Sequence, residues 1–195
     1  MILMSGCLLG DIPFKAVYLH GLVRDEQGRK MSKSLGNIVD PLDMIQKYGA
    51  DATRLSLLIG AAPGNDMKLS EDKVRGYRNF ANKLWNVARF ITLNTQDFKE
   101  QKKPRLPLQD KKILSQFQKI GKQVTMDIEQ FRFSHAAETL YHYLWHTFAD
   151  KILEQSKPIL QNQKTRNSRQ YVLLSVLSDF LKLSHPFIPF VTEEI

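Results

Sequence analysis

Apolar residues recur every three or four positions through most of the chain beyond residue 70, which is the spacing of an amphipathic helix. The first apolar stripe comprises Val74, Tyr77, Ala81, Leu84, Trp85, Ala88 and Ile91. The second comprises Ile113, Leu114, Phe117, Ile120, Val124 and Ile128. Similar patterns predict helices at about 134–156 and 168–183, and the final HPFIPFVTEEI predicts the start of another. The spacing therefore predicts a helical bundle over residues 71–195.

The N-terminal part of the chain has a different pattern. Residues 14–23, FKAVYLHGLV, are rich in β-branched and aromatic side chains and precede a turn-forming RDEQG, so they predict a buried strand. The opening MILMSGCLLG lacks the basic residues of a signal peptide and is interpreted as the buried end of a helix or loop. The expected fold class is mainly α, with one strand near the N-terminus.

Two short helices are predicted between the strand and the bundle. In DPLDMIQKYG, Asp40 suits the N-cap, Pro41 the first helical position and Gly49 the end. ADATRLSLLIG predicts the second helix, and AAPGNDM predicts a loop that leads to Ser70, the expected N-cap of the first bundle helix. The segment KEQKKPRLPLQ, with two prolines, predicts a loop between the two apolar stripes.

The charge is unevenly distributed along the chain. The 195 residues have a formal net charge of +8, and residues 71–195 hold 20 Lys and Arg against 13 Asp and Glu. An excess of positive charge suits a polyanionic partner. Cys7 is the only cysteine, which excludes an intrachain disulfide and predicts a reducing, cytoplasmic compartment. No apolar run approaches the roughly 20 residues of a membrane span, so no membrane association is expected.

The decapeptide GRKMSKSLGN, residues 28–37, contains three cations, two serines and two glycines but no acid. Lys30 and Lys33 supply positive charge, Ser32 and Ser34 supply hydroxyl donors, and the glycines let the backbone bend towards an anion, so the segment suits phosphate oxygens. A solvent-exposed turn has a similar composition, so both interpretations stay open on composition alone. The sequence contains neither GxxxxGK[ST] nor GxGxxG, which excludes a P-loop and leaves a dehydrogenase-type fold unsupported.

KMSKS, residues 30–34, resembles the second signature of the class I aminoacyl-tRNA synthetases. Its flanks, from GDIPFKAVYLHGLVRDEQG to LGNIVDPLDMIQKYGADATRLSLL, resemble the subgroup that handles valine, isoleucine and leucine. DIPF, VYLHGLVRD, PGNDMKLSEDKV and RNFANKLWNVARF are most similar to valyl-tRNA synthetases. The resemblance covers residues 1–195 and is strongest over 10–95. An isoleucyl-type synthetase and a free-standing tRNA-binding module without catalysis stay open as alternatives.

The resemblance implies an ATP-phosphate site at Lys30, Met31, Ser32, Lys33 and Ser34. By that resemblance, the loop closes over ATP when valine is activated, with Lys33 on the triphosphate as pyrophosphate leaves and Lys30 in support. Met31 is expected to pack against the domain. ATP would be a substrate, accompanied by Mg²⁺ in the full enzyme. Residues 30–35 are expected to be mobile until phosphate binds.

The same resemblance divides the chain into three parts. Residues 1–38 would end a Rossmann-type catalytic domain with the KMSKS loop, 39–70 would form connecting helices, and 71–195 an anticodon-binding bundle for valine tRNA. None of the five histidines lies in His-x-Gly-His, the family's other ATP signature. There is also no room for the amino-acid pocket or the inserted editing domain. We therefore expect the C-terminal portion of a longer, monomeric ligase, inactive on its own.

A polar and aromatic row on the helix after Ser70 is the candidate tRNA contact. At 100° per residue, Asn79, Lys83, Asn86 and Phe90 fall together, roughly opposite the apolar stripe, and Arg89 flanks them. Such a row can stack an unpaired base on the phenylalanine, contact base edges through the amides and neutralise phosphate. The alternative is that Phe90 packs under a loop or another helix and the asparagines are ordinary surface.

Other residues that could carry chemistry are interpreted as structural. His142 and His146 have the i,i+4 spacing of a helical zinc pair, but no third ligand is evident and no metal site is predicted. Asp51 and Arg54 lie one turn apart and are expected to form a structural pair. Four large aromatic residues at helical spacing are interpreted as core: Trp85, Tyr141, Trp145 and Phe148.

Overall fold

The computed structural model describes residues 1–98 and 104–195, so the predicted KEQKKPRLPLQ loop lies partly outside the described residues. The first elements are α1 (Ile2–Leu9), β1 (Val23–Arg24), α2 (Pro41–Tyr48), α3 (Ala50–Leu58) and β2 (Met67–Lys68). They are followed by α4 (Glu71–Asn94), α5 (Leu108–Glu129), α6 (Phe133–His142), a π-helical segment (Tyr143–Leu153), α7 (Glu154–Gln161), α8 (Gln163–Ser184) and α9 (Pro189–Glu194). The mainly helical fold class is confirmed.

The long helices pack around one apolar core. α5 packs against α6 and α8, α4 packs against α3 and α8, and α7 packs against α8. Predicted core positions such as Leu84, Val124, Leu144 and Phe148 are fully buried there. The helix predicted over 134–156 runs on without a break from α6 through the π-helical segment into α7. The 3.6-residue spacing of the apolar side chains therefore identified the faces on which these helices meet.

The helix ends follow the local capping signals. The side chain of Asp40 accepts a hydrogen bond from the Leu42 N–H at 2.8 Å, and that of Ser70 accepts one from the Lys73 N–H at 3.2 Å. Gly49 ends α2 with a φ of 91°, a backbone conformation that a side chain would strain. The short helices and their order were thus predicted correctly, because caps act within one turn.

The predicted N-terminal strand is largely wrong. Only Val23 and Arg24 pair as a strand, in parallel with Met67 and Lys68, and residues 14–22 are mostly exposed. A strand needs a partner for its backbone groups, and in the described ranges this segment has only the two-residue β2 and a single antiparallel bridge between His20 and Pro63.

The opening segment was also predicted wrongly as buried. α1 forms, but none of its residues is buried, because no other described element covers it. Its eight residues are too few for a membrane span, and no other helix within residues 1–98 and 104–195 is both long and apolar enough to cross a bilayer.

The buried face of α4 is rotated relative to the predicted stripe. Trp85, predicted to be core, is 44% exposed, while Phe80 and Val87 are buried. The buried face is set by the contacts of α4 with α3 and α8, and Trp85 lies about 100° around the helix from the buried Leu84. Tyr141 and Trp145 are only half-buried. The predicted seven-residue stripe therefore wrongly included Trp85, which lies at its edge.

Asp51 and Arg54 act structurally, but not as a pair with each other. The Asp51 carboxylate accepts hydrogen bonds from the backbone N–H groups of Phe190, at 3.2 Å, and Val191, at 2.7 Å. Arg54 donates to the carbonyl oxygens of Pro186 and Phe187, at 2.9 and 3.2 Å. Asp51 therefore binds the first turn of α9 and Arg54 binds the segment that precedes it, so together they join α3 to the far end of the bundle.

A buried ion pair lies inside the bundle. Arg169 on α8 is 1% exposed and Asp110 on α5 is 2% exposed. The Arg169 Nη2 lies 2.7 Å from the Asp110 Oδ1, and Nη1 donates to the Ser156 hydroxyl at 3.2 Å. Removing one member of such a pair leaves the other charge without compensation in the apolar interior.

We expect Asp110→Ala to lower the free energy of unfolding by about 3–5 kcal/mol, because Arg169 would then be buried without its partner. The double variant Asp110→Leu with Arg169→Met should recover most of that loss. Urea unfolding followed by circular dichroism measures both. Lys157→Ala, which breaks an exposed pair with Glu154, is the matched control and should cost at most about 1 kcal/mol. A cost for Asp110→Ala no larger than that control would contradict the assignment.

Candidate functional site

The KMSKS loop begins with a tight hairpin after β1. The Asp25 carbonyl accepts a hydrogen bond from the Gly28 N–H at 2.9 Å, and the Asp25 N–H donates to the Arg29 carbonyl at 3.0 Å. Arg24 and Lys30 form an antiparallel bridge. Gly28 has a φ of 82°, so a residue with a side chain would strain this turn. The hairpin brings Lys30 back beside the end of β1.

The base of the hairpin is attached to the segment before β2. Asp66 accepts a hydrogen bond from the Leu22 N–H at 2.8 Å and forms an ion pair with Arg24. The Leu22 N–H, and after it Arg24, lowers the pKa of the Asp66 carboxyl. A Cβ on Gly21 would lie 1.8 Å from the carbonyl oxygen of Asn65, so the two backbones touch. Only glycine permits this approach.

The side chain of Asn37 bonds to the backbone of KMSKS at Lys30 and Ser32. Its side-chain oxygen accepts a hydrogen bond from the Ser32 N–H at 2.9 Å, and its amide nitrogen donates to the Lys30 carbonyl at 3.2 Å. The same nitrogen donates to Asp25 Oδ2 at 2.8 Å. Asp25 also accepts from the Arg29 N–H and Nε. These donors, with Asn37 the largest contribution, lower the pKa of Asp25 from 3.8 to about 2.

The side chains of the loop point in two directions. Met31 is half-buried against the small core of Met44, Ala52, Leu69 and Val74, as expected from the sequence. Lys30 and Lys33 are exposed. Within the described part of the chain, no carboxylate lies within 4.0 Å of either ammonium group. The loop therefore presents two positive charges without a partner there.

The serines of the loop are used locally. Ser32 caps a single 3₁₀ turn, Lys33–Leu35, by accepting a hydrogen bond from the Leu35 N–H at 3.3 Å. The hydroxyls of Ser32 and Ser34 share a hydrogen bond of 3.1 Å. Both hydroxyls are close enough to the lysines in sequence to contact the same anion. The mobility expected for residues 30–35 stays a prediction.

Some residues of the predicted tRNA-contact row on α4 are exposed, and others already contact neighbouring side chains. Asn79, Asn86 and Arg89 are exposed. Phe90 is half-buried and packs against the main core, as the structural alternative anticipated. At 100° per residue, Phe90 lies on the same side of α4 as the two asparagines. Phe90 thus has a packing role and keeps some exposed surface.

Lys83 is already engaged with neighbouring side chains. Its Nζ lies 3.1 Å from Asp150 Oδ1 and 5.4 Å from the centre of the Trp145 ring. Both contacts are at the surface, where an ion pair contributes about 0.2–1 kcal/mol. A phosphate can therefore compete for Lys83 at small cost.

Trp85, which the apolar pattern places in the core, is a surface residue. Its ring and the side chain of Arg89 line a shallow depression beside α4, together with Ala88, Thr92 and Leu93. The signal was available, because Arg78 and Arg89 lie within about 40° of Trp85 when the helix is drawn at 100° per residue. An aromatic ring between two arginines is a surface pattern rather than a core pattern.

The two helical histidines lie side by side. The rings of His142 and His146 are stacked with their centroids 5.6 Å apart, and both residues are exposed. Within residues 1–98 and 104–195, no group of three or more His, Cys, Asp or Glu side chains is arranged to hold a metal ion. We assign these histidines no ligand role.

Comparison with known proteins connects both parts of the chain to one family. Residues 1–70 match the family "tRNA synthetases class I (I, L, M and V)", and residues 110–195 match "Anticodon-binding domain of tRNA ligase". A valine–tRNA ligase from Thermotoga maritima is 47% identical over 195 residues, 100% of this chain. Over its whole length the chain is similar to valine–tRNA ligases. It spans 22% of the length of that relative.

Other valine–tRNA ligases show the same relation. The ligase of Bdellovibrio bacteriovorus is 44% identical over 205 residues, and that of Pelagibacter ubique is 47% identical over 199 residues. Each match covers 100% of this chain and 23% of the relative. The valine resemblance inferred from DIPF and RNFANKLW is thus confirmed at the level of the family.

Solved structures agree on the fold. The ternary complex of Agrobacterium radiobacter LeuRS with tRNA and LeuAMS matches with a TM-score of 0.77 at 25% identity, over 99% of this chain and 24% of that one. Mycobacterium tuberculosis methionyl-tRNA synthetase bound by methionyl-adenylate matches with a TM-score of 0.74 at 23% identity, over 90% of this chain and 36% of that one. The second match shows the fold alone.

The Asp25–Asn37 contact predicts an unusual titration. In this chain the Asp25 carboxyl should titrate at about pH 2, and Asn37→Ala should move its pKa up towards 3.8, because the largest lowering contribution is lost. Carboxyl ¹³C shifts measured against pH give both values. Asn167→Ala, on the exposed side of α8, is the matched control and should leave Asp25 unchanged.

The sign of the accompanying stability change follows from the lowered pKa. The contribution of Asp25 is complete above its ordinary value of 3.8 and is lost as the pH falls towards 2. A pKa for Asp25 that does not respond to Asn37→Ala would show that the amide does not donate to this carboxylate.

Proposed function

We propose that this chain forms, within a valine–tRNA ligase, the loop that stabilises the ATP triphosphate and the helical domain that receives the anticodon arm of valine tRNA. The observation that carries the first part is a pair of exposed lysines, Lys30 at the end of the hairpin and Lys33 in the 3₁₀ turn that follows, with no carboxylate within 4.0 Å of either in the described structure. Two such charges suit the oxygens of a polyphosphate.

The loop would act through electrostatic stabilisation. When the valine carboxylate attacks the α-phosphorus of ATP, negative charge builds up on the pyrophosphate that leaves. Lys33, with Lys30 in support, would neutralise that charge, and the hydroxyls of Ser32 and Ser34 can donate to phosphate oxygens. Donors fixed in advance of the reaction lower the barrier because they need not reorganise in the transition state.

The loop residues do not fit a magnesium site. Mg²⁺ prefers carboxylate and other oxygen ligands in an octahedral arrangement, whereas the exposed groups here are mainly ammonium groups. Asp25, at the base of the loop, is buried and already bonded to Asn37 and Arg29, and Asp66 is bonded to Leu22 and Arg24. We therefore assign no magnesium ligand to this chain and no step to the ion.

The helical domain would bind RNA through the outer side of α4. Asn79 and Asn86 can contact base edges, Arg89 and Lys83 can contact phosphates, and the exposed part of Phe90 can stack on a base. Support comes from the match of residues 110–195 to an anticodon-binding domain and from the excess of positive charge in residues 71–195. Lys83 would exchange Asp150 for phosphate.

The setting of the ligase is part of the same proposal. A single cysteine among 195 residues suits the cytoplasm, and the family resemblance implies a monomer. The chain by itself would not complete the reaction, because it carries no His-x-Gly-His and spans 22% of its relatives' length.

Lys33→Ala in the full-length ligase that carries this sequence should slow valine-dependent exchange of pyrophosphate into ATP by about 100-fold to 1,000-fold, because a donor to the transition-state charge is lost. Lys112→Ala, on the exposed side of α5, is the matched control and should leave the rate unchanged. An exchange rate for Lys33→Ala within about twofold of the control would refute the assignment of the loop.

Phe90→Leu should weaken binding of valine tRNA by about 5-fold to 150-fold, because leucine keeps the core contact but cannot stack on a base. The loss should disappear for valine tRNA with a changed anticodon, and the melting temperature should change little. Filter binding at moderate salt measures the affinities.

Trp85→Leu removes an exposed ring outside the row and is the control for Phe90→Leu. If Trp85→Leu weakens anticodon-dependent binding and Phe90→Leu does not, the contact surface lies around Arg89 and Leu93 instead. Equal binding of all tRNAs, lost steeply with salt, would favour a non-specific RNA-binding module.

A further inference from the structure

One side chain bonds to the backbone on both sides of Met31. The Asn37 oxygen accepts from the Ser32 N–H and the Asn37 nitrogen donates to the Lys30 carbonyl, so a single amide spans the central residue of KMSKS. Ser32 is extended, with φ −149° and ψ 152°. In an extended segment alternate side chains point to opposite sides. Met31 packs against the small core, whereas Lys30 before it is exposed.

The orientation of this amide is fixed by a carboxylate. Asn37 could bond to the two backbone groups in only one of its two flipped orientations, and Asp25 Oδ2, which can only accept, selects that orientation. Asp25 is 5% exposed and receives two further hydrogen bonds from Arg29. Its low pKa, about 2, keeps it an acceptor throughout the neutral range.

We propose that Asp25 and Asn37 are positioning residues for Lys30 and Lys33, in which the carboxylate orients the amide and the amide fixes the backbone on both sides of Met31. This inference rests on the proposed role of the loop in ATP binding. Neither residue touches the triphosphate. Their effect passes through the backbone, which sets where the two ammonium groups stand relative to each other.

The chemistry of the two side chains provides a specific test. Asn37→Asp keeps the acceptor for the Ser32 N–H but removes the donor to Lys30 and places two carboxylates in contact. Asp25→Asn removes the acceptor that orients the amide. The double variant Asp25→Asn with Asn37→Asp restores one amide–carboxylate contact with the groups exchanged, although the donor to the Lys30 carbonyl remains lost.

In the full-length ligase we expect each single variant to raise KM for ATP or lower kcat in pyrophosphate exchange, by about 10-fold to 100-fold in kcat/KM, as misplaced charged groups do. The double variant should recover a large part of that loss. The kcat/KM of Asn37→Asp should also rise again as the pH is lowered, because one of the two adjacent carboxylates then binds a proton. Asn167→Asp makes the same charge change on α8 and should have no effect.

A second measurement does not depend on activity. In the isolated chain, amide hydrogen exchange at Ser32 should be faster in Asn37→Ala than in the wild type, while exchange within α4 stays the same. Suppose that Lys33→Ala inactivates the ligase but Asp25→Asn and Asn37→Asp leave its kinetics normal. That result would overturn this inference and leave the proposed function intact. Losses in the two single variants that simply add in the double variant would also overturn it. No effect of Lys33→Ala would instead refute the proposed function.

Discussion

The buried charge of Arg169 constrains how the helices of the bundle can pack. A guanidinium inside an apolar core is tolerated only where an anion and further acceptors meet it, and here these are Asp110 and the Ser156 hydroxyl. Because the three residues lie on α8, α5 and α7, the pair fixes the register of these helices more sharply than apolar contacts do. Leucine and valine side chains can slide past one another, but an ion pair of 2.7 Å cannot.

A series of contacts connects these helices to the KMSKS loop. The end of α8 leads into residues 186–191, which Asp51 and Arg54 bind from α3. α3 also contributes Ala52 to the small core, and Met31 packs against the same core. The loop and the helical bundle are thus joined by one line of packed elements, so the position of the lysines depends on helices far along the sequence.

Local features of the sequence predicted most of the helices, whereas the site residues stay a prediction. Asp40 and Ser70 act within one turn, so their roles can be read directly from the chain. The contact between Asp25 and Asn37 cannot, because it joins residues twelve positions apart whose types occur in many turns. The strand predicted at 14–23 failed for a related reason, since a strand depends on a partner elsewhere in the chain.

The same limit applied to polar residues that act at long range. Arg169 and Asp110 are residue types typical of a solvated helix surface. Nothing nearby in the sequence indicates that they are buried and paired with each other. For Phe90 the sequence left both a base-stacking and a packing role open, and the structure shows it half-buried against the core. Periodicity locates the faces of a helix, but the neighbouring helices decide where each face ends.

The pairing of Lys83 with Asp150 affects how the salt dependence of RNA binding is interpreted. The salt dependence of RNA binding reflects the small cations released from phosphates when protein charges replace them. A lysine that must first leave a carboxylate exposes a negative charge, which gathers cations of its own. Each such exchange reduces the net release, so the slope of binding against salt should understate the number of basic residues that touch the RNA.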